Sequence, residues 1–265
     1  TAGTYPTACH PVVVAAAGNC GTGLELYCDP TKPGAMGYPG LNKHVIAVGA
    51  TTKANTRASF SSYGSGLDVM APGAGSIAAP AWSAANPTSL YSSNVYGTSY
   101  SSPYVASLVS LIKAVRPNTS VDDIMTLING TARKLPAMNG QNFHAEYGHG
   151  IINAEAVVAV ASELSASTNT TKPTLAQTGS YIAEHSFLPN STMTSQCTVG
   201  ASLYCTVWAQ NLVNGYDRVL PYGRTGTAGY YAWQWPDTML GSGGWELHAR
   251  SGELLSPDYM LLSKQ

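Results

Sequence analysis

Charge is scarce in this chain. Only 10% of its 265 residues are Asp, Glu, Lys or Arg, against the usual quarter. Lys plus Arg number 13 and Asp plus Glu 14, a formal net charge of -1. A nucleic-acid binder needs a basic face, and a protein held on a lipid surface by charge needs a polybasic cluster. Neither composition is present. Long apolar runs are missing too: Val12 to Ala17 and Val105 to Val115 both fall short of a membrane span. Disorder driven by high net charge is excluded, because 44% of the residues are hydrophobic and a chain this long can bury a sizeable core. Gly, Ser, Thr, Asn and Ala fill the positions that charges usually take. A surface wetted by neutral hydroxyls and amides reads as that of a secreted, extracellular protein. There is no signal peptide and no initiating Met, so Thr1 reads as the product of processing.

Metal-type cysteine spacing is also lacking. The five cysteines form no CxxC and no Cys/His pattern of a zinc site. Cys20 and Cys28 are eight apart, as are Cys197 and Cys205, and each pair can close a small loop. Cys9 is left over. The run between Cys9 and Cys20 reads as a buried strand, and its six residues Val12 to Ala17 extend roughly 20 Å at about 3.3 Å each. Those two cysteines therefore stand too far apart for a disulfide. Cys9 is either a buried thiol or the partner of a cysteine on another chain. Four Asn-x-Ser/Thr sequons, at Asn118, Asn129, Asn169 and Asn190, are what a Ser- and Thr-rich chain produces by chance.

Residues 1–163 alternate between strand and helix patterns. Val12 to Ala17 and Val45 to Ala50 are short apolar runs, the mark of strands buried on both faces. Leu67 to Met70 is a third, ended by Ala71-Pro72-Gly73. From Pro103 to Val115, Val105, Leu108, Val109, Ile112 and Val115 recur at helical spacing, and Pro117 stops the run. Ser120 can cap a second helix from Val121 to about Gly130, with Asp122 and Asp123 in its first turn. Ala154 to Leu164 is a third. The pattern predicts an α/β fold, a parallel sheet covered on both faces and flanked by helices. Residues 164–175 read as a polar linker. Residues 176–265 then read as a smaller all-β, sandwich-like unit, with strands at Cys205 to Ala209, Gly229 to Trp235, Trp245 to His248 and Tyr259 to Leu262, and a turn at 241–244.

The chemistry-bearing stretch is Tyr96-Gly97-Thr98-Ser99-Tyr100-Ser101-Ser102-Pro103. A serine between a Gly-containing turn and a helix start is lifted out of a loop beside free backbone N–H groups. Such groups stabilise an oxyanion forming on a substrate carbonyl. Taken alone, Gly-Thr-Ser equally describes an N-cap. The second element is Ala15-Ala16-Ala17-Gly18-Asn19, which places Asn19 at the carboxyl end of a strand, where ligands sit in open α/β sheets. Taken alone, Asn19 equally describes a turn residue.

In this order the two stretches resemble the subtilisin family of serine proteases. The resemblance continues through Tyr38-Pro39, Val45-Ile46-Ala47-Val48-Gly49-Ala50, Ala58-Ser59-Phe60-Ser61-Ser62-Tyr63-Gly64, Leu67-Asp68-Val69-Met70-Ala71-Pro72-Gly73 and the closing Tyr147-Gly148-His149-Gly150-Ile151-Ile152-Asn153-Ala154. It covers roughly residues 11 to 163. It implies a secreted endopeptidase with Ser99 as nucleophile, and Asn19 with the Ser99 backbone N–H as oxyanion donors. It also implies that Ala16, Ala17 and Gly18 line the primary specificity pocket, and it implies a peptide or protein substrate. No cofactor is needed for the chemistry. Thr51 and Thr52 stand where many members place an acidic residue of a weak cation site, so calcium is not expected there; structural calcium elsewhere stays open but is not indicated by this chain, and no metal ligand is assigned. Tyr100 and Tyr104 replace the family's common Met and His without touching the reacting groups, and His149 reads as structural.

The family's catalytic order is Asp, His, Ser, and the Asp and His motifs belong well before Asn19. Neither is present, and none of His10, His44, His144, His149, His185 and His248 sits in a matching context. Two expectations follow. Either a separate N-terminal chain of the same precursor supplies Asp and His, which also gives Cys9 an interchain partner, or the fold is a catalytically inactive peptide-binding module. A serine hydroxyl needs a base to become a useful nucleophile, so the first reading makes this a two-chain enzyme. Glu25, inside the Cys20 to Cys28 loop, reads as a solvated surface residue rather than a selector of basic side chains. Trp82 and Tyr91 stand in an enlarged segment on the leaving-group side. Trp208, Trp233, Trp235 and Trp245 read as core residues rather than a carbohydrate-binding face.

Overall fold

The computed structural model describes residues 11–23, 27–75, 77–81, 84–85, 87–88, 90–167, 170–178, 181–183, 186–187, 192–236, 239–257 and 259–264. Thr1, Cys9, His10, Glu25, Trp82, Asn169, His185 and Asn190 lie outside them. The elements in chain order begin with β1 (Val13–Ala16), β2 (Val45–Thr51), β3 (Val69–Pro72), β4 (Ile77–Pro80), β5 (Tyr91–Val95), α1 (Thr98–Val115), α2 (Val121–Thr131) and α3 (Ala154–Ala166). They continue with β6 (Thr174–Thr178), β7 (Tyr181–Ala183), β8 (Ser186–Phe187), β9 (Thr192–Thr198), β10 (Tyr204–Asn211), β11 (Asp217–Val219), β12 (Gly223–Arg224), β13 (Tyr230–Pro236), β14 (Gly243–Ser251), β15 (Leu254–Leu255) and β16 (Met260–Lys264).

The mixed α/β architecture comes from the apolar runs. Strands β1, β2 and β3 form a parallel sheet in that order, with Val13 opposite Val45 and Val48 opposite Val69. Every residue of β2 is buried. Side chains alternate across a strand, so Ile46, Val48, Val69 and Ala71 share one face, and that face packs on buried residues of all three helices. Among the described residues the three helices share this face, and the other face is covered by a different kind of segment. Met70, pointing the other way, meets Leu135, Met138, Tyr147 and Ile151 from the segment after α2. That segment carries too few residues at helical spacing to form more than a single 3₁₀ turn at Pro136–Met138. It adds instead a parallel bridge from Ile151 to Met70.

Helix α2 is as predicted, with the Ser120 side chain accepting from Asp123 N. Helix α1 begins at Thr98, five residues before the expected start, and holds Pro103 inside it. Its buried stripe includes Val105, Leu108, Val109 and Ile112, and each such side chain contributes about 1.5–3 kcal/mol relative to exposure. Helix α3 runs through Ala166 and β6 starts at Thr174, so the connection between them is shorter than the polar stretch implied.

The described residues from Thr174 onward, called the β module below, form two sheets. One has the order β13-β9-β6; the other runs β11-β10-β14-β16-β8-β7 with β12 and β15 added beside β10 and β14. Gly243 and Gly244 lie within β14, so the turn is confined to the residues before them. One apolar cluster joins the sheets, with Met193, Cys197, Trp233 and Trp235 from the first facing Val207, Ala209, Trp245 and Leu247 from the second. Trp233, Trp235 and Trp245 are core residues, their indole N–H groups donating to Pro221 O, Ser195 Oγ and Gly241 O. Trp208 is half-buried, with its ring 5.7 Å from that of His248. Disulfides join Cys20 to Cys28 and Cys197 to Cys205. Among the described residues no helix is long and apolar enough to cross a membrane.

Candidate active site

Strand β1 ends by turning at Gly18, whose φ of 110° suits glycine and whose Cβ would come within 2.9 Å of Ser62 Oγ. The turn sets Asn19 at the carboxyl end of the sheet. Beyond it the backbone is stitched to the segment before β3: Cys20 N donates to Ser62 Oγ at 3.0 Å and Gly21 N to Phe60 O at 2.7 Å. Asn19 is thereby held from both sides.

Ser99 reaches the same place by another route. Gly97 N donates to Gly73 O at 2.8 Å, just past β3. Ser101 Oγ donates to Ala71 O and Pro72 O, each at 3.2 Å. These bonds fasten the first turn of α1 to the end of β3 and leave Ser99 exposed above it. Pro103 cannot donate to Ser99 O, and Ser102 Oγ approaches that carbonyl at 3.4 Å instead.

Thr98 joins the two halves of the site. Its N–H donates to Asn19 Oδ1 at 3.0 Å and its Oγ1 to the same oxygen at 2.9 Å. Gly18 N in turn donates to Thr98 Oγ1 at 3.3 Å. Asn19 is therefore the cap of α1, supplied from 79 residues away, while Gly97 offers no side-chain cap. With Oδ1 engaged twice, the amide presents its Nδ2 toward Gly97. A Cβ built on Gly97 would lie 3.5 Å from Asn19 Nδ2 and 3.8 Å from Ser99 N. Two donors thus lie within 3.8 Å of one point at Gly97, two residues before the exposed Ser99. The Ser99 N–H belongs to the first-turn groups that a helix leaves without an acceptor of its own.

Ala16 and Gly18 are half-buried beside this turn, whereas Ala17 is fully buried against Leu67 and Met70. Any contact Ala17 makes with a ligand is through its backbone. Tyr96, exposed, packs its ring 5.6 Å from that of Phe60 on the side from which the chain enters Gly97. The sequence did not single out Thr98, Gly97 or Ser62; the Thr in Gly-Thr-Ser was the available signal for the first.

The described histidines are all engaged elsewhere. His44 Nδ1 lies 2.6 Å from Asp122 Oδ1, a pairing that looks like part of a catalytic triad. It sits just before β2, however, and the seven residues of β2 separate it by roughly 20 Å from the carboxyl end of the sheet. His144 Nδ1 accepts from Glu146 N, and His248 Nε2 pairs with Glu246. His149 is fully buried, accepts at Nε2 from Val219 N at 3.1 Å, and turns Nδ1 to Asp68 O at 3.1 Å. Burial, with Lys134 and Arg218 nearby, holds its pKa well below the usual imidazole range, so it is a neutral Nδ1–H tautomer satisfied at both ends. The buried Asp68 carboxyl accepts from Ala47 N and Asn129 Nδ2, and burial pushes its pKa up to about 7. Among the described residues no group of three or more His, Cys, Asp or Glu is placed to hold a metal.

The model of the subtilase family of peptidases matches residues 4–150. Subtilisin Savinase of Lederbergia lenta is 38% identical over 149 residues, 55% of this chain and 45% of that protein. Subtilisin DY of Bacillus licheniformis is 40% identical over 149 residues, 55% of this chain and 46% of its own length. Among solved structures, a protease of Pseudoalteromonas arctica aligns with a TM-score of 0.46 at 30% identity, over 57% of this chain and 42% of its own. The chain spans less than half the length of the curated relatives it matches.

Proposed function

Since the chain belongs to the subtilase family of serine proteases, we propose that it is the serine-bearing part of a secreted serine endopeptidase whose Asp and His come from a separate N-terminal chain. Ser99 Oγ attacks the carbonyl carbon of a peptide bond. Its proton passes to the partner's imidazole as the Oγ–C bond forms. The oxyanion settles between Asn19 Nδ2 and the Ser99 N–H. Collapse of that intermediate breaks the C–N bond, the amine leaves with the proton from the imidazole, and water releases the acyl group by the same steps. Thr98 does no chemistry; it holds the Asn19 amide so that a donor, not an acceptor, faces the reaction. No cofactor enters these steps.

The observation that carries this reading is that Asn19 Nδ2 and Ser99 N both lie within 3.8 Å of one point at Gly97, next to an exposed serine. The engagement of the described histidines elsewhere supports a base from outside the chain. The sheet also has an edge to receive that chain. Among the described residues β1 pairs with β2 alone, Val13 is 43% exposed, and an open groove of about 590 Å³ runs between β1 and α1 along Pro11, Val13, Val14, Ala106, Val109 and Lys113. The test is labelling with a biotinylated organophosphonate. Native material should give an adduct on Ser99 and a companion chain in reducing electrophoresis, while Ser99→Ala abolishes the adduct. Native material that contains the companion chain yet neither labels nor cleaves peptides is a peptide-binding module instead.

A further inference from the structure

The β module has no role in the chemistry above, and tandem units are often loosely tethered. The contacts between it and the α/β part are of a different kind. The two apolar cores trade aromatic rings. Phe143, from the segment after α2, lies in the β-module core, while Tyr204 and Tyr222 of the module pack on the core beneath the helices. Arg218 stacks its guanidinium 3.4 Å over the Phe143 ring, and that ring meets His149 edge-on at 5.3 Å.

Beside exposed hydrogen bonds such as Lys43 Nζ to Gln210 Oε1, the two parts share buried ones. Val219 N, in β11, donates to His149 Nε2. Arg250 Nη1, in β14, donates at 2.8 Å to Thr126 Oγ1 of α2, and both residues are at most 5% exposed. Tyr222 N donates to Gly130 O at 3.0 Å. Gly130 lies inside α2, where alanine is ordinarily the better residue. A Cβ there would fall 2.8 Å from Tyr222 Cδ2 and 3.3 Å from Leu220 O. Glycine at this position leaves the room that the Tyr222 ring occupies.

We propose that the β module is a permanent buttress of α2 and of the closing turn at residues 147–152, and that it folds and unfolds as one unit with the α/β part. Its polar sheet face, bearing Arg250 and flanked by Tyr222, is the docking surface, and its partner is this chain's own helix layer. The proposal does not rest on the catalytic reading, because neither Ser99 nor any companion chain enters it.

The test is Gly130→Ala in the full chain. In a tethered module the substitution acts on the helix alone and raises the unfolding midpoint. In a buttressed one it lowers the midpoint, by roughly 2–6 °C for a chain of this size, and a Tyr222→Val background removes most of that drop. Hydrogen exchange supplies a second readout with Thr126→Val, which removes the hydroxyl that Arg250 reaches and that also donates to Asp122 O within α2. Peptides from 121–131, 204–211 and 243–251 should lose protection together. A rise in the midpoint on Gly130→Ala overturns the proposal, as does loss of protection confined to 121–131 with 204–211 and 243–251 unchanged.

Discussion

Replacing Gly97 with alanine separates folding from catalysis at this site. Gly97 has φ 137° and ψ 155°, a region that is essentially glycine-only, and a side chain there costs on the order of 1–3 kcal/mol. The new methyl meets no hard obstacle, since its nearest neighbours are Asn19 Nδ2 at 3.5 Å, Ser99 N at 3.8 Å and Tyr100 Cδ2 at 3.8 Å. The variant therefore folds, with an unfolding midpoint lower by roughly 2–12 °C. The methyl does occupy the space between the two donors, which is where a substrate oxyanion must come. Loss of one such donor lowers kcat by about 10²–10³, a magnitude that is subtilisin's own. We expect Gly97→Ala, assayed at 15 °C in the presence of the companion chain, to lose at least about 100-fold in kcat against a peptide substrate. Phosphonate labelling of Ser99 should slow in parallel, because that adduct also places an oxygen between the donors. Calorimetry on the same sample fixes the folded fraction. Should the folded variant turn over within a few-fold of the parent, the oxyanion does not lie between Asn19 Nδ2 and Ser99 N, and the site as drawn is wrong.

Two further outcomes follow from groups away from Ser99. Asp68, pushed up to about 7 by burial, binds a proton in the folded chain between about pH 4 and 7 that the unfolded chain does not. Its contribution to stability is therefore largest in acid and is lost as pH rises through 7. His149 acts oppositely, because below about pH 6.5 the unfolded chain protonates it and the folded chain does not. Asp68→Asn can keep its bonds, since Asn129 Oδ1 has no donor and can turn to accept from the new amide. Relative to the parent, that variant should lose roughly 1.4 kcal/mol per pH unit between pH 7 and 4 in urea titrations, and parallel pH curves would contradict the assignment. Removing the Cys20–Cys28 disulfide by Cys20→Ser/Cys28→Ser opens a loop of sequence separation 8, worth about 2–3 kcal/mol by chain entropy. The midpoint should drop by roughly 5 °C or more, and an unchanged midpoint would mean that the Ser62 and Phe60 bonds already hold this segment.

Much of the molecule was legible one residue after another. Strand β2 and helix α2 follow directly from an unbroken apolar run and from a Ser120 cap with two acids behind it, both local properties. Ser99 and Asn19 stood out because a serine before a helix and an asparagine after a buried strand belong to a known order. The early start of α1 was not legible, because the group that caps it is Asn19, and no window around Thr98 contains it. Nor was the cover of the sheet's second face, made by a segment whose apolar residues have no period. The pairing of His44 with Asp122 shows the reverse hazard, a convincing couple at the wrong end of a strand.

The order of the residues, taken alone, determined the strands, the helices and the two side chains proposed to do the chemistry, because each depends on neighbours a few positions away. Only the folded chain decided how those side chains are aimed. Thr98 turns the Asn19 amide across 79 positions, and β3 carries the turn that lifts Ser99. His149 and Gly130 acquire their meaning from residues that follow them by about 70 and 90 positions. Direction and contact between distant segments are set by packing, and packing is not written in any local run of sequence.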